Sequence, residues 1–282
     1  MKKRVLVTGA SGNVGSAVCA ELLRHDYQVM GLARSDDSEH ALQQLGIQVV
    51  RGCLTQPEQW IAMTDDVQAV IHTACTFASD MDETDHHFLR CLSQQAQKRE
   101  QPLTLLYTAG CWTYGHHNDV ISENSAKQST LDFQWMVDGM EYLRSEPGID
   151  VRIVSPSNVV DRETDLLPDI LRWEYQQLGH TTVPDTPELS WSLVERQDLA
   201  QLYRLVLERG QPGEEYIASA IAQASPQQLA QRLQDGPAQA ITISEWCERY
   251  GRWAEGYGLK QIFSSDKAMQ QLGWQPALTC LS

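Results

Sequence analysis

Positive charge is scarce in this chain. Lysine and arginine together number 22 against 37 aspartates and glutamates, a formal net charge of −15. Such a chain lacks the surplus cations that displace counterions from nucleic acid or hold an anionic membrane, which argues against both partners. Lysine itself stands only at positions 2, 3, 98, 127, 260 and 267. No apolar run is long enough to span a bilayer. The opening Met1-Lys2-Lys3-Arg4 has the charge of a signal n-region, but Gly9 to Gly15 interrupts any apolar segment behind it, so it reads as the cap of a first strand. The seven cysteines, at 19, 53, 75, 91, 111, 247 and 280, form no C-x-x-C and are odd in number. Reduced thiols of a cytoplasmic protein fit that pattern; a disulfide frame or a zinc site does not. His86-His87 and His116-His117 have no partners at ligand spacing, so no metal is expected.

What remains is an ordinary globular composition: 282 residues, 42% of them hydrophobic, enough for one large domain or a domain with an appended lobe. The chain is organised around Arg4-Val5-Leu6-Val7-Thr8-Gly9-Ala10-Ser11-Gly12-Asn13-Val14-Gly15. An apolar strand stops at Gly9 and a helix opens near Gly12. In this setting Gly9 permits a sharp turn, Gly12 lets backbone N–H groups approach a pyrophosphate, and Gly15 lets helix and sheet pack closely. Gly9, Ser11, Gly12, Asn13, Val14 and Gly15 are therefore read as a dinucleotide cradle.

The second strand, Gln28–Leu32, ends in Ala33-Arg34-Ser35. A carboxylate about 20 residues past the glycines would bind a ribose 2′-OH, whereas an Arg there accepts a 2′-phosphate. Ala33 stands in the carboxylate's place, with Arg34 and Ser35 behind it. NADP is accordingly favoured over NAD, the alternative being that Asp36 or Asp37 reaches back and Arg34 is a surface charge. A third strand is expected at Ile47–Val50, followed by Gly52-Cys53-Leu54. A fourth spans Val67–Thr73 and ends in Thr73-Ala74. Helix 84–99, a fifth strand Leu103–Thr108, a helix Ser129–Ser145 and a sixth strand Asp150–Val154 follow. His72 is either a polar group of the site or a hydrogen-bonded core residue. Further helices are expected at 164–178, 197–209, 225–234, 244–254 and 266–272, with a late strand at Glu215–Ala218. The architecture is α/β: a Rossmann-type, doubly wound parallel sheet over residues 1–157, then a small mixed substrate lobe over 158–282, of which 190–218 returns partly to the core.

Read together, these fragments resemble the extended short-chain dehydrogenase/reductase superfamily, in its NAD-dependent epimerase/dehydratase-like branch. Thr8-Gly9-x-x-Gly12-x-x-Gly15 resembles its dinucleotide loop, Gly52-Cys53-Leu54 its G-D-L, and Val70-Ile71-His72-Thr73-Ala74 its V-I-H-x-A. Tyr107 to Gly115 resembles its strand-five segment ending in Y-G. Ser155 to Val160 resembles R-P-x-x-V-Y, Asp198-Leu199-Ala200 the end of V-H-x-x-D-L-A, and Ser265-Asp266-Lys267 with Leu272-Gly273-Trp274-Gln275-Pro276 its C-terminal S-x-K…L-G-W-x-P. The resemblance implies cofactor contacts at Cys53, Leu54, Thr73 and Ala74 and, through the helices after strands four and five, a homodimer.

It also implies a Ser/Thr, a Tyr and a Lys for proton transfer, and here the chain departs. The three positions fall on Gly110, Phe133 and Val137, and no Tyr in the chain has a Lys four residues later. Phe133 and Val137 exchange no protons at any pH. Tyr114 is a weak substitute, since without a neighbouring cation its phenol stays protonated; packing is its other role. Cys111 is a nucleophile only with a base beside it. Two functions stay open: an NADP-dependent oxidoreductase or epimerase-like enzyme acting on a small molecule with atypical catalytic residues, and an NADP(H)-binding sensor without chemistry. A relic that binds no nucleotide is a third.

Overall fold

The computed structural model describes residues 3–76 and 78–281. Met1 and Lys2 of the expected strand cap, and Ser282, lie outside them.

Short strands rich in Val, Leu and Ile, separated by amphipathic helices, build a parallel sheet because each crossover must bury its apolar stripe against the strands. The strands are β1 (Arg4–Thr8), β2 (Gln28–Ala33), β3 (Gln48–Arg51), β4 (Ala69–His72), β5 (Leu103–Thr108) and β6 (Ile149–Pro156). β7 (Asn158–Val160), β8 (Thr182–Pro184), β9 (Trp191–Glu195), β10 (Glu215–Ala218), β11 (Ile221–Ala224) and β12 (Gln239–Ile241) follow. The central sheet has seven strands in the order β10-β6-β5-β4-β1-β2-β3. All six pairings are parallel. The order reverses between β1 and β4, which opens a crevice at their C-terminal ends, the place where such sheets bind ligands.

The helices are α1 (Asn13–Arg24), α2 (Asp36–Gln44), α3 (Met81–Ala96), α4 (Gln134–Ser145), α5 (Asp169–Leu178), α6 (Arg196–Arg209), α7 (Pro226–Ala230) and α8 (Ile243–Tyr250). On one face of the sheet Val18 and Leu22 of α1 and Leu202 and Val206 of α6 share a core with Val5, Val7 and Ile71. On the other, Phe88, Leu89 and Leu92 of α3 and Met140 and Leu143 of α4 pack on Leu6, Val70 and Leu105. The chain leaves this sheet after β6. β7, β9 and β11 form a small sheet, β8 and β12 a ribbon, and their core gathers Leu171, Trp191, Leu193, Leu229 and Trp246. The stretch from β9 returns α6 and β10 to the central sheet. The C-terminal segment is tied to α6: Trp274 Nε1 donates to the Asp198 carbonyl at 2.9 Å, and the Asp198 carboxylate accepts from the Ala277 and Leu278 amides at 2.9 and 3.0 Å. No helix among the described residues is long and apolar enough to cross a membrane.

Several expected helices are cut short by identifiable residues. The one expected over 164–178 starts at Asp169, because Asp165 and Leu166 are left-handed and Pro168 precedes the first turn. The one expected over 244–254 stops at Tyr250, where Gly251 takes φ +98, and resumes as a 3₁₀ turn over Arg252–Gly258. The helix expected from Ser129 begins as a 3₁₀ turn at Leu131–Phe133 and becomes α-helical at Gln134.

Candidate functional site: a dinucleotide crevice with an aromatic end

The crevice over the switch point has a cavity volume of about 580 Å³. Its first wall is backbone. β1 ends at Thr8, Gly9 turns at φ +68, and the Gly12 amide donates to the Gly9 carbonyl at 2.9 Å. The turn tolerates no side chain: a Cβ on Gly9 would lie 2.9 Å from Ala74 Cα, and one on Gly15 would lie 2.1 Å from the Gly9 carbonyl oxygen. No side chain caps α1 at Gly12, and its first turn holds no acidic residue. Its N-terminal amides and the positive end of the helix dipole thus stay free of a side-chain partner at the crevice, which Gly9, Ser11, Gly12, Asn13, Val14 and Gly15 line.

At the end of β2, Ala33 is fully buried and Arg34 lines the crevice. Asp36 does not reach back; its carboxylate pairs with Arg51, which also holds Glu39 at 3.1 Å. Arg34 has no ion-pair partner among the described residues. Ser35 is not on the crevice wall. Its hydroxyl accepts from the Ser38 amide at 3.2 Å and caps α2, and it is Ser38 that lines the cavity. After β3, Gly52, Cys53 and Leu54 line the wall, and a Cβ on Gly52 would meet Trp60 Cδ1 at 2.3 Å. Trp60 Nε1 donates to the Cys53 carbonyl at 2.8 Å. Burial raises the Cys53 thiol, but the Thr55 hydroxyl and amide, Arg34 and the Leu54 amide outweigh it and draw it below the ordinary thiol value.

β4 delivers His72, Thr73 and Ala74 to the crevice. The Thr73 hydroxyl donates to the Thr8 carbonyl at 2.8 Å. Both nitrogens of His72 are engaged. Asp85 accepts from Nε2 at 2.7 Å and from the Tyr107 hydroxyl at 3.0 Å, and the Thr8 hydroxyl meets Nδ1 at 2.7 Å. Of the two readings of His72, the hydrogen-bonded core residue is the one the geometry fits, although its ring edge borders the cavity.

The far end of the crevice is where proton transfer is expected; its wall is largely apolar, with Cys111, Thr113 and Tyr257 among the rings. Gly110 lines it, with open space within 4 Å of where a Cβ would stand. Phe133 lines it too. Val137 does not: it faces the core beneath α4, in contact with the cluster of Tyr107 and Leu105, while Trp135 and Met136 take the cavity side. Tyr114 is fully buried and is absent from the cavity wall. It does have a lysine: Lys127 Nζ sits 3.4 Å over its ring centroid, and both groups bind Glu215, the hydroxyl donating at 2.9 Å and the ammonium at 2.7 Å. Ser155 donates to the same carboxylate. Burial, then Glu215, pushes the Tyr114 phenol far above its ordinary value, and burial lowers Lys127 against the pull of Glu215. This is a largely buried ion cluster, not a phenolate facing a ligand, and it meets the cavity wall only through Lys127 Nζ at 3.4 Å from the Thr113 hydroxyl. Cys111 is also raised, by burial, and its Sγ contacts the Ser155 carbonyl at 3.3 Å, so no base activates it.

Trp135, Met136, Ser38 and Tyr257 join the wall without any signal in the sequence: Tyr257 arrives from the C-terminal lobe. A second association is also invisible in the chain order. His87, which lacks partners in sequence, meets Glu58 and Cys91, their ligand atoms within 4.8 Å of one another on the outside of α3.

Residues 5–130 match the NAD dependent epimerase/dehydratase family. Over those residues the chain is similar to this family. An uncharacterized protein of Saccharomyces cerevisiae is 24% identical over 285 residues, covering 97% of this chain and 94% of the yeast protein. The likeness in fold extends through the C-terminal lobe. The dTDP-glucose 4,6-dehydratase of Bacillus anthracis, solved with NAD, superposes with a TM-score of 0.81 at 14% identity, covering 99% of this chain and 93% of that one. The UDP-glucose 4-epimerase of Thermotoga maritima, solved with UDP-glucose, gives 0.79 at 17% identity over 98% and 94%.

Proposed function

We propose that this epimerase/dehydratase-family protein binds NADP(H) along the crevice and moves hydride between it and a small molecule held at the aromatic end, without the Tyr–Lys pair of the superfamily. The supporting observation is the pairing of an uncapped glycine cradle with Arg34 at the end of β2, which has no ion-pair partner among the described residues, while Asp36 is turned away to Arg51. The pyrophosphate would lie on the α1 N-terminus and the 2′-phosphate beside Arg34 and Ser38. The nicotinamide would then extend toward Gly110 and Phe133. When bound, the cofactor supplies the hydride; the chain's residues hold it and exclude water.

The test is a thermal-shift titration of the full chain with NADP+ and NAD+. A ligand at 100 times its Kd stabilises the folded state by about 2.7 kcal/mol. The proposal expects saturable stabilisation at lower concentration for NADP+ than for NAD+, and NADPH oxidation with a carbonyl acceptor. Phe133 and Gly110 at the reacting end favour a second reading, an NADP(H) sensor that performs no chemistry. It expects the same titration, with NADPH unchanged after incubation across a broad acceptor panel.

A further inference from the structure

The reacting end of the crevice is a box of rings. Trp112, on the 3₁₀ turn after β5, lies with its ring centroid 5.2 Å from Phe133 and 4.9 Å from Tyr257. Trp135 and Met136 complete the wall. The box is built to shape, because a Cβ on Gly256 would press to 2.2 Å against Trp112 Cδ2; only glycine lets that ring lie where it does. Among the described lining residues the one arginine is Arg34, at the opposite end, and there is no lysine. Lysine and arginine side chains that approach from the lobe are committed elsewhere: Arg252 donates to Asp132 at 2.6 Å and Lys260 to Glu188 at 2.8 Å. A nucleoside diphosphate sugar brings a diphosphate, and desolvating it without cations costs more than ring contacts return.

The titratable hydroxyl among these rings is the Tyr257 phenol, and burial pushes it well above its ordinary value, which makes it a poor proton donor. Reducing a simple ketone leaves an alkoxide, whose conjugate acid is about as weak as water, so it must be protonated as it forms. Reducing a quinone leaves a phenolate-like monoanion, of pKa about 10, which leaves the site and takes its proton from water.

We propose that the aromatic box accepts an uncharged quinone, not a nucleotide sugar, as the hydride acceptor. This deepens the reading of the crevice as an NADP(H) site and rests on it. The C4–H bond of the dihydronicotinamide breaks with its electron pair and an O–H bond forms at one quinone oxygen. NADPH is oxidised to NADP+, the quinone is reduced by two electrons to the hydroquinone monoanion, and one proton from water completes the hydroquinone.

The experiment uses the full chain with tetramethyl-1,4-benzoquinone, whose ring carbons are all substituted so that the cysteine thiols do not add to it. NADPH oxidation is followed optically, and quinone binding separately by equilibrium dialysis without cofactor. UDP-glucose and dTDP-glucose are run in parallel. Expected are saturable quinone binding, quinone-dependent NADPH oxidation with kcat flat between about pH 6 and pH 9, and no binding or turnover of either sugar nucleotide. Phe133→Leu, which keeps most of the volume, raises the quinone dissociation constant in dialysis without cofactor about tenfold; Trp112→Ala does so more strongly if it folds. Binding or turnover of a sugar nucleotide, or absence of quinone binding in dialysis, overturns the inference. Absence of NADP+ binding with quinone still bound sinks the cofactor reading instead and leaves the acceptor class standing.

Discussion

The two ends of one crevice are made of opposite materials. At the end of β1 the wall is backbone, and its turn closes because side chains are missing: Gly9 and Gly15 admit no Cβ. At the end of β5 the wall is side chain, and hydrocarbon or hydrogen stands where the proton-handling groups are expected: Gly110, Phe133 and Met136 line it with the buried Tyr257, while Tyr114 and Lys127 are folded beneath it around Glu215. Binding a pyrophosphate needs only amides and a helix dipole. Moving a proton needs a titratable atom at the reacting centre. A chain can therefore keep the first capacity while losing the second, and fold likeness speaks for the first alone.

Perturbing each end separately tests this contrast. The largest effect falls on the buried cluster. Lys127→Met leaves Glu215, 4% exposed, without its ammonium partner, and should cost about 3–5 kcal/mol in urea unfolding. The folded fraction should bind NADP+ as before. Loss of cofactor affinity in the folded protein would instead put Lys127 in the site. Next is Gly15→Ala. Its methyl would sit 2.1 Å from the Gly9 carbonyl oxygen, so the cradle must open. NADP+ affinity should fall about 100-fold or more, roughly 3 kcal/mol by titration. An unchanged Kd would mean that the nucleotide does not use this turn.

Smaller and more selective is Arg34→Ala. Removing a charge-assisted hydrogen bond, worth about 1.5–3 kcal/mol, should weaken NADP+ by about 10- to 100-fold and leave NAD+ nearly unaffected. Equal losses for both cofactors would place Arg34 away from the 2′-phosphate. The smallest change is at Gly110, which is in extended conformation with open space around its missing side chain. Gly110→Ser should alter stability by no more than about 0.5 kcal/mol. Its hydroxyl returns one donor to the reacting end, so turnover of an unactivated ketone should appear or rise. A large destabilisation would show that the space is filled by something other than ligand.

How far the sequence reached follows the same division. β1 through α1, the end of β2 and the position of β10 were legible because they depend on neighbours in the chain: apolar alternation, glycine spacing and an arginine after a strand. That no Tyr has a Lys four residues later was legible for the same reason. Partners far apart in sequence were not. Nothing near Tyr114 announces Glu215, and nothing near His72 announces Asp85 and Tyr107. Ser35 follows a strand as a cofactor donor would, yet a capping box with Ser38 claims its hydroxyl. Val137 is one turn beyond Phe133, but α4 begins only at Gln134, so the face turned to the crevice carries Met136 and Val137 turns to the core. The C-terminal helix expected over 266–272 widens into a π-turn at Ala268–Leu272, which periodicity alone does not reveal.

The most direct measurement is isothermal titration of NADP+ into the full chain, with NAD+ under the same conditions. Saturable binding with NADP+ the tighter of the two is the predicted result. No heat from either nucleotide at millimolar concentration, with the protein folded throughout, would contradict it.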